Sequence, residues 1–263
     1  MKILFIGDIV GSPGREAVAA LLPELKKELG LHFIIANAEN AAGGSGITLK
    51  VTQELFASGV DVLTSGDHIW KKREILDFID NQERILRPAN FPFGAPGRGS
   101  KVYVTPDGFK IGVININGRV FMEALECPFK TALSCVRELS GETKIIIVDM
   151  HAEATSEKVA LGWYLDGKVS AVIGTHTHIQ TADEKILPQG TAYLTDAGMT
   201  GPYDSVIGRR KEDVLERFLT AVPVRFAVAK DNVQLHGAFL EIDEATGRAK
   251  AISRIQRKMH AQI

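Results

Sequence analysis

Short, continuous apolar runs alternate with helically spaced apolar positions along the first third of the chain. Lys2-Ile3-Leu4-Phe5-Ile6 is the pattern of a strand buried on both faces, and it stops at Gly7-Asp8. Beyond a turn expected at Gly11-Ser12-Pro13-Gly14, Val18, Leu21, Leu22, Leu25 and Leu29 recur at helical spacing, with Gly30 as the stop. Residues 32–38 repeat the strand and lead into Glu39-Asn40, a glycine-rich stretch at 41–46 and a helix over 48–58. A third strand at 60–64 ends in Ser65-Gly66-Asp67-His68, and 71–79 predicts the next helix. Three such units in succession predict a parallel sheet whose functional loops lie at the carboxyl ends of its strands.

The pattern then changes. Residues 87–99, rich in Pro and Gly, read as an ordered loop, and 102–104 with 109–117 flank Thr105-Pro106-Asp107-Gly108 as a β-hairpin, which makes the sheet mixed. Helices are predicted over 128–139 and 156–166, with a strand at 144–148 ending in Asp149-Met150-His151 and another at 169–173. From Thr191 onward strands dominate, at 191–195, 224–228, 233–242 and 249–257, with one helix at 211–219 and a glycine-rich loop at 196–202. There is no internal repeat and no low-complexity segment. The simplest packing is one α/β domain over residues 1–263 with two sheets.

Composition narrows the classes. The 263 residues carry a formal net charge of -1, so no global field attracts nucleic acid or an anionic membrane. Cys127 and Cys135 fit neither a redox pair nor a zinc knuckle, and free thiols in a reducing cytosol are expected. The first apolar run is too short for a signal-peptide core, and no stretch has the length of a membrane span. The expectation is a cytoplasmic protein without a membrane or a stable nucleic-acid partner. Self-association is left open.

The candidate chemistry sits where apolar runs end: Asp8, Glu39-Asn40, Asp67-His68, His151, and His176 with His178. Continued as an extended segment, the strand before Gly174 would point both imidazoles of His176-Thr177-His178 to one side. A metal or backbone hydrogen bonds would each explain that pair alone, as a turn or helix cap would explain Asp8 or Asp67 alone. Five runs ending in metal-competent residues favour a metal. Carboxylates with imidazoles suit manganese, iron or zinc, and a pair of ions held by several loops around one bridging carboxylate is the signature of a hydrolase that turns water into a nucleophile and clamps phosphoryl oxygens.

In the order of these residues the chain resembles the calcineurin-like metallophosphoesterases, whose motifs run Asp-x-His, Gly-Asp-x-x-Asp, Gly-Asn-His-Glu, a lone His, and Gly-His-x-His. The matching stretches are Gly7-Asp8-Ile9-Val10, Ala38-Glu39-Asn40, Gly66-Asp67-His68-Ile69, Met150-His151 and Thr175-His176-Thr177-His178. Position 10 is not His, a Glu stands for the bridging Asp, and Asp67 stands where Asn is usual. The first two departures mark the YmdB-type cyclic nucleotide phosphodiesterases, which the loops at 36–44 and 196–202 also resemble. This resemblance implies a four-layer αββα sandwich in which Asp8, Glu39 and His178 hold one metal and Glu39, Asp67, His151 and His176 hold the other. Glu39 would bridge, Asn40 would support the first ion, and His68 would act beside the phosphate as general acid or stabiliser. The implied cofactors are two ions of iron or manganese, with zinc as the alternative, and the implied substrate is a small phosphodiester, a 2′,3′- or 3′,5′-cyclic nucleotide.

Other readings remain open at this level. They are a phosphomonoesterase of the same superfamily, or a regulatory metal-binding protein whose hydrolysis is incidental. The scarcity of basic residues in the loops favours a diester; Arg209-Arg210-Lys211 could help attract phosphate, but its place just before a helix favours a solvated face. Trp70 and Tyr203 are equally suited to stack a base or to pack. His32, His236 and His260 match no motif.

Overall fold

The computed structural model describes residues 1–259. The first half of the chain forms β1 (Lys2–Ile6), β2 (Asp8–Ile9), α1 (Gly11–Leu29), β3 (Phe33–Asn37), α2 (Leu49–Ala57), β4 (Val62–Thr64), β5 (Ser100–Val104), β6 (Lys110–Asn117) and α3 (Pro128–Leu139). The second half adds β7 (Ile146–His151), α4 (Thr155–Leu165), β8 (Ala171–Thr175), β9 (Lys185–Ile186), β10 (Ala192–Leu194), β11 (Met199–Pro202), α5 (Lys211–Thr220), β12 (Val233–Ile242) and β13 (Ala249–Lys258). One sheet runs in the order β2-β11-β12-β1-β3-β4, with β13 paired to β12, and the other β5-β6-β7-β8-β10-β9. Both are mixed: β1, β3 and β4 are mutually parallel, as are β6, β7 and β8, while β12 runs antiparallel to β1 and β5 antiparallel to β6.

The continuous apolar runs are explained by strands covered on both faces. In β1, Ile3 and Phe5 meet Ile111, Val113, Ile147 and Ile173 of the other sheet, while Leu4 and Ile6 meet Val18, Leu22 and Leu25 of α1. In the second sheet Ile146, Val148 and Met150 turn outward to Ala132 and Val136 of α3 and Leu161 and Leu165 of α4. The layers are therefore helix, sheet, sheet, helix, as expected.

Three local expectations are corrected. The helix at 71–79 is a pair of 3₁₀ turns, Arg73–Asp77 and Ile79–Asn81. Ile75, Phe78 and Ile79 are buried at a spacing that so short a run satisfies without an α-helix, and no side chain caps its start. The strand at 224–228 is absent apart from one bridge between Arg209 and Val228, because Arg225, Phe226 and Ala227 are exposed and Val224 and Val228 are only partly covered, so the segment buries neither face. Residues 11–14 form the opening turn of α1, where Pro13 loses no intrahelical bond. Cys127 and Cys135 are free, and among the described residues no helix is long and apolar enough to cross a membrane.

Gly174, next to the last residue of β8, shows how closely the chain passes itself at this end. A Cβ there would lie 1.8 Å from the carbonyl oxygen of Thr195. We expect Gly174→Ala to cost about 3 kcal/mol, lowering the thermal unfolding midpoint by roughly 6–12 °C for a chain of this size. An unchanged midpoint would show that the strands can separate there.

Candidate metal centre

Strand parity builds the floor of the site. The face that carries Ile35, Val62, Val113, Ile147 and Ile173 between the sheets is apolar until the last turns of the strands. Two residues further on, the same face carries Asn37, Thr64, Asn115, Asp149 and Thr175, and His151 follows Asp149 by another two. These side chains are all buried. Asp149 Oδ2 accepts from Asn37 Nδ2 at 3.0 Å and from the Thr64 hydroxyl, and its Oδ1 accepts from the Thr175 hydroxyl at 2.7 Å. The Thr175 hydroxyl also lies 2.9 Å from His151 Nδ1. Burial raises the Asp149 carboxyl to about 6 against the opposing pull of His151 and the two threonine hydroxyls. This network fixes the ring of His151 with Nε2 facing outward.

Two groups of donor atoms lie above that floor, each with its atoms within 4.8 Å of one another: Glu39, Asp67, His151 and His176, and Asp8, Glu39 and His178. Glu39 belongs to both. Its Oε2 is 3.1 Å from His151 Nε2, and Asp67 Oδ1 is 3.2 Å from His151 Nε2 and 3.5 Å from His176 Nδ1. Asp8 Oδ2 accepts the His176 backbone N–H at 3.1 Å. Asp8 Oδ1 is buried with no hydrogen-bond partner among the described residues, 3.8 Å from His178 Nε2. An orphaned carboxylate oxygen facing a second donor group is what a cation would satisfy. The residues present therefore fit the two ions that the sequence motifs imply.

The electrostatics are those of an overcrowded acidic pocket. Burial would raise Glu39, but His151 and His68 beside it overcome this and hold it well below the usual glutamate value. Burial dominates at Asp8 and raises it despite His178 and His151. His176 is pulled down to about 4 by burial and by the neighbouring His151, which leaves its ring neutral, the form that binds a metal.

His176 and His178 reach the pocket by a route that differs from the extended one. β8 ends at Thr175 on the inner face, so a continued strand would send residues 176 and 178 outward, towards α4. Instead both have left-handed backbones, with φ of 97° and 66°. This is uncommon for a residue with a side chain and occurs where surrounding structure enforces it. The turn swings His176 Nδ1 to 3.0 Å from His151 Nε2, and the Ile207 carbonyl lies 3.0 Å from His178 Nδ1.

Asn40 and His68 occupy the wall. Asn40 Nδ2 donates to Glu39 Oε1 at 2.7 Å and lies 3.2 Å from His178 Nε2, while its Oδ1 is 2.8 Å from His68 Nδ1. The hydrogen bond to Glu39 raises the pKa of His68 against its partial burial. Together these side chains open on a cavity of about 280 Å³, whose wall also carries Glu153, Thr177, Ile207 and Arg209.

All eight residues singled out in the sequence thus converge. Those not anticipated are the supporting ones. Glu153 Oε2 holds His176 Nε2 at 3.1 Å. Asp196, paired at 2.8 Å with the buried Lys158, accepts the Thr177 N–H at 3.1 Å and anchors the turn between the histidines. Asp149 and Asn37 were readable from their i+2 spacing beyond core positions. Arg209 is half-buried at the cavity rather than part of a solvated face, whereas Arg210 is exposed beside Glu212. Trp70 packs edge-on against Phe91, and Tyr203 stacks on buried His236, so neither is free to hold a base. His32 accepts the Lys2 N–H, and His260 lies outside the described residues.

A family model for the YmdB-like proteins matches residues 4–255. The chain belongs to the YmdB-like family. This YmdB-like chain is 52% identical over 255 residues to a 2′,3′-cyclic-nucleotide 2′-phosphodiesterase of Bacillus subtilis (strain 168), covering 97% of this chain and 96% of that one. A crystal structure of a hypothetical protein from Thermus thermophilus matches with a TM-score of 0.91 and 40% identity, over 98% of this chain and 99% of that one. A crystal structure of a novel phosphatase from Mycoplasma pneumoniae matches with a TM-score of 0.91 and 35% identity, over 98% and 93% respectively.

Gly66 tests the geometry of the YmdB-like site directly. A Cβ there would stand 2.2 Å from the His151 ring and 2.5 Å from Glu39 Oε2. Gly66→Ala is expected to lower metal content, measured by elemental analysis after gel filtration, with the far-UV circular dichroism unchanged. Full metal loading of this variant would mean that the donors do not meet as described.

Proposed function

We propose that the protein is a dinuclear-metal-dependent phosphodiesterase acting on cyclic nucleotides, with 2′,3′-cyclic nucleotides first among them. The observation that carries this reading is the pair of donor groups sharing Glu39, with Asp8 Oδ1 of one group unpartnered among the described residues, at the mouth of a cavity walled by His68. The named activity of the Bacillus subtilis relative supports the substrate class.

In this reading Asp8, Glu39, His178 and Asn40 would serve one ion and Glu39, Asp67, His151 and His176 the other, with Glu39 common to both sets. Iron or manganese suits this mixture of carboxylate and imidazole best, with zinc as the alternative. Two such ions supply a nucleophile from water near neutral pH and draw charge from the phosphoryl oxygens. The side chains do the rest. His68, held through Nδ1 by Asn40 with Glu39 beside it, offers Nε2 to the departing ribose oxygen, the position that a general acid or a stabiliser of that oxygen needs. Glu153 fixes the tautomer and tilt of His176, and the pair Asp149 and Thr175 does the same for His151.

The decisive experiment is turnover of cyclic nucleotides and a chromogenic diester by protein reconstituted with manganese or iron, with Glu39→Gln as control. Hydrolysis in the wild type and loss of both ions and activity in the control are expected. Turnover by a metal-free Glu39→Gln protein would sink the mechanism. A wild type with both sites loaded and no diester hydrolysed would instead favour the regulatory reading.

Two variants separate the roles within this scheme. His68→Asn should retain both ions and lose about 10²–10⁴-fold in kcat; an unchanged kcat would remove His68 from the proton transfer. Asp67→Asn exchanges a charged oxygen donor for a neutral one, so its ion should dissociate faster in competition with a chelator while the substrate phosphate is polarised more strongly. Metal content and turnover both unchanged would show that Asp67 is not a donor.

A further inference from the structure

A second cavity, of about 520 Å³, adjoins the first and shares Arg209 with it. Lys72, Arg209 and Arg225 line it together with Phe226, Gly43 and Ser45, and among the described residues no carboxylate stands on its wall. Asp213, which accepts the Ala227 N–H at 2.9 Å, is not part of that wall. The Arg209 side chain donates to the carbonyl oxygen of Gly44, and among the described residues no carboxylate pairs with its guanidinium.

The loop at 43–46 is shaped around these cations. Gly44, at φ +91°, has a backbone that residues with a side chain rarely adopt, and a Cβ there would fall 2.3 Å from an Arg209 guanidinium nitrogen and displace the guanidinium. Gly46, at φ +81°, is constrained in the same way, since its Cβ would fall 2.7 Å from the Lys72 side chain. Cations gathered on one wall without an acid repel one another, and the arrangement becomes favourable when an anion with several acceptor oxygens enters. Phe226 adds an aromatic face, 37% exposed, on the same wall, a surface on which any base can stack.

We propose that this cavity is a second phosphate subsite, which binds a phosphate other than the scissile one on the same nucleotide. The preferred substrate class is then a cyclic phosphodiester carrying a further phosphate, as its own 5′-phosphate or as the adjoining diester of a short oligonucleotide. The proposal rests on the phosphodiesterase reading for the scissile bond, and Arg209, at the border of the two cavities, spans the phosphates.

The test compares the metal-loaded wild type with a Lys72→Gln/Arg225→Gln double variant, both checked for metal content and melting temperature. The kcat/KM is measured for adenosine 2′,3′-cyclic phosphate, for its 5′-phosphorylated form, and for a diadenosine dinucleotide ending in a 2′,3′-cyclic phosphate. The wild type should prefer a two-phosphate substrate by about tenfold, mainly through KM, the worth of one charge-assisted phosphate contact. In the variant the preference should fall towards unity. Preference for the 5′-phosphorylated mononucleotide identifies a terminal phosphate as the occupant, and preference for the dinucleotide alone identifies a diester. No preference in the wild type, or one that survives in the variant, overturns the proposal.

Calorimetric binding of adenosine 3′,5′-bisphosphate against adenosine 3′-phosphate provides a readout independent of turnover. If no diester is hydrolysed, the functional reading fails and calorimetry alone decides the subsite. Tighter bisphosphate binding that the variant loses supports it, and equal binding of the two ligands refutes it.

Discussion

Burying unlike charges at the end of an apolar sandwich is the constraint on which this molecule is built. Asp8, Glu39, Asp149 and His151 are at most 1% exposed, and an ionised group taken out of water costs several kcal/mol unless it is paired and hydrogen-bonded. Each carboxylate meets that cost differently. Asp149 is surrounded by hydroxyl and amide donors and is pushed towards its neutral form. Glu39 has imidazoles on both sides and the His68 backbone N–H at 3.1 Å. Asp8 keeps one oxygen with no hydrogen-bond partner among the described residues. The deficit that remains is one that only added positive charge removes, and it lies where the donor atoms of three other loops converge.

The sandwich makes that convergence possible because strand parity is maintained in both sheets. The register pairs Asn37 with Thr64, Asn115 with Asp149, and His151 with Thr175, so one apolar face becomes polar at the same height in neighbouring strands. Glycines let the loops approach this floor closely. A Cβ at Gly7 would lie 1.9 Å from the Gly198 carbonyl oxygen, and one at Gly66 would enter the His151 ring. At those positions stability depends on the absence of a side chain, which is why the donors sit on short turns rather than on long flexible loops.

Much of this was legible in the sequence. The apolar runs located the central strands, and the residues that ended them located the candidate donors: each alone has an ordinary explanation as a cap, a turn or a satisfied buried histidine, but five runs ending in metal-competent residues point to one site. What stayed hidden depended on contacts distant in sequence. The left-handed turns at His176 and His178 answer to Asp8 and Ile207, residues far along the chain, and local alternation predicts an extended path instead. The 3₁₀ turns after β4 and the absent strand near 224 turn on which faces are covered, and periodicity carries no information about that. Arg209 looked like one of three solvated cations until the fold placed it against Gly44.

That placement ties the two cavities together. Asn40, whose side chain joins Glu39 to His68, has its carbonyl oxygen held by the N–H groups of Gly11 at 3.0 Å and Gly44 at 3.1 Å. Gly44 is also where Arg209 docks, and Ile207, two residues before that arginine, lies against His178. The glycine-rich loop and the segment at 207–209 therefore each touch a candidate metal-site residue with one end and the cationic wall with the other. Both segments are anchored at both ends, so the separation between the candidate donors and the Arg209 guanidinium is set by the fold. With the proposed second subsite occupied, that set separation would select substrates by length, a discrimination that the candidate donors alone would not provide.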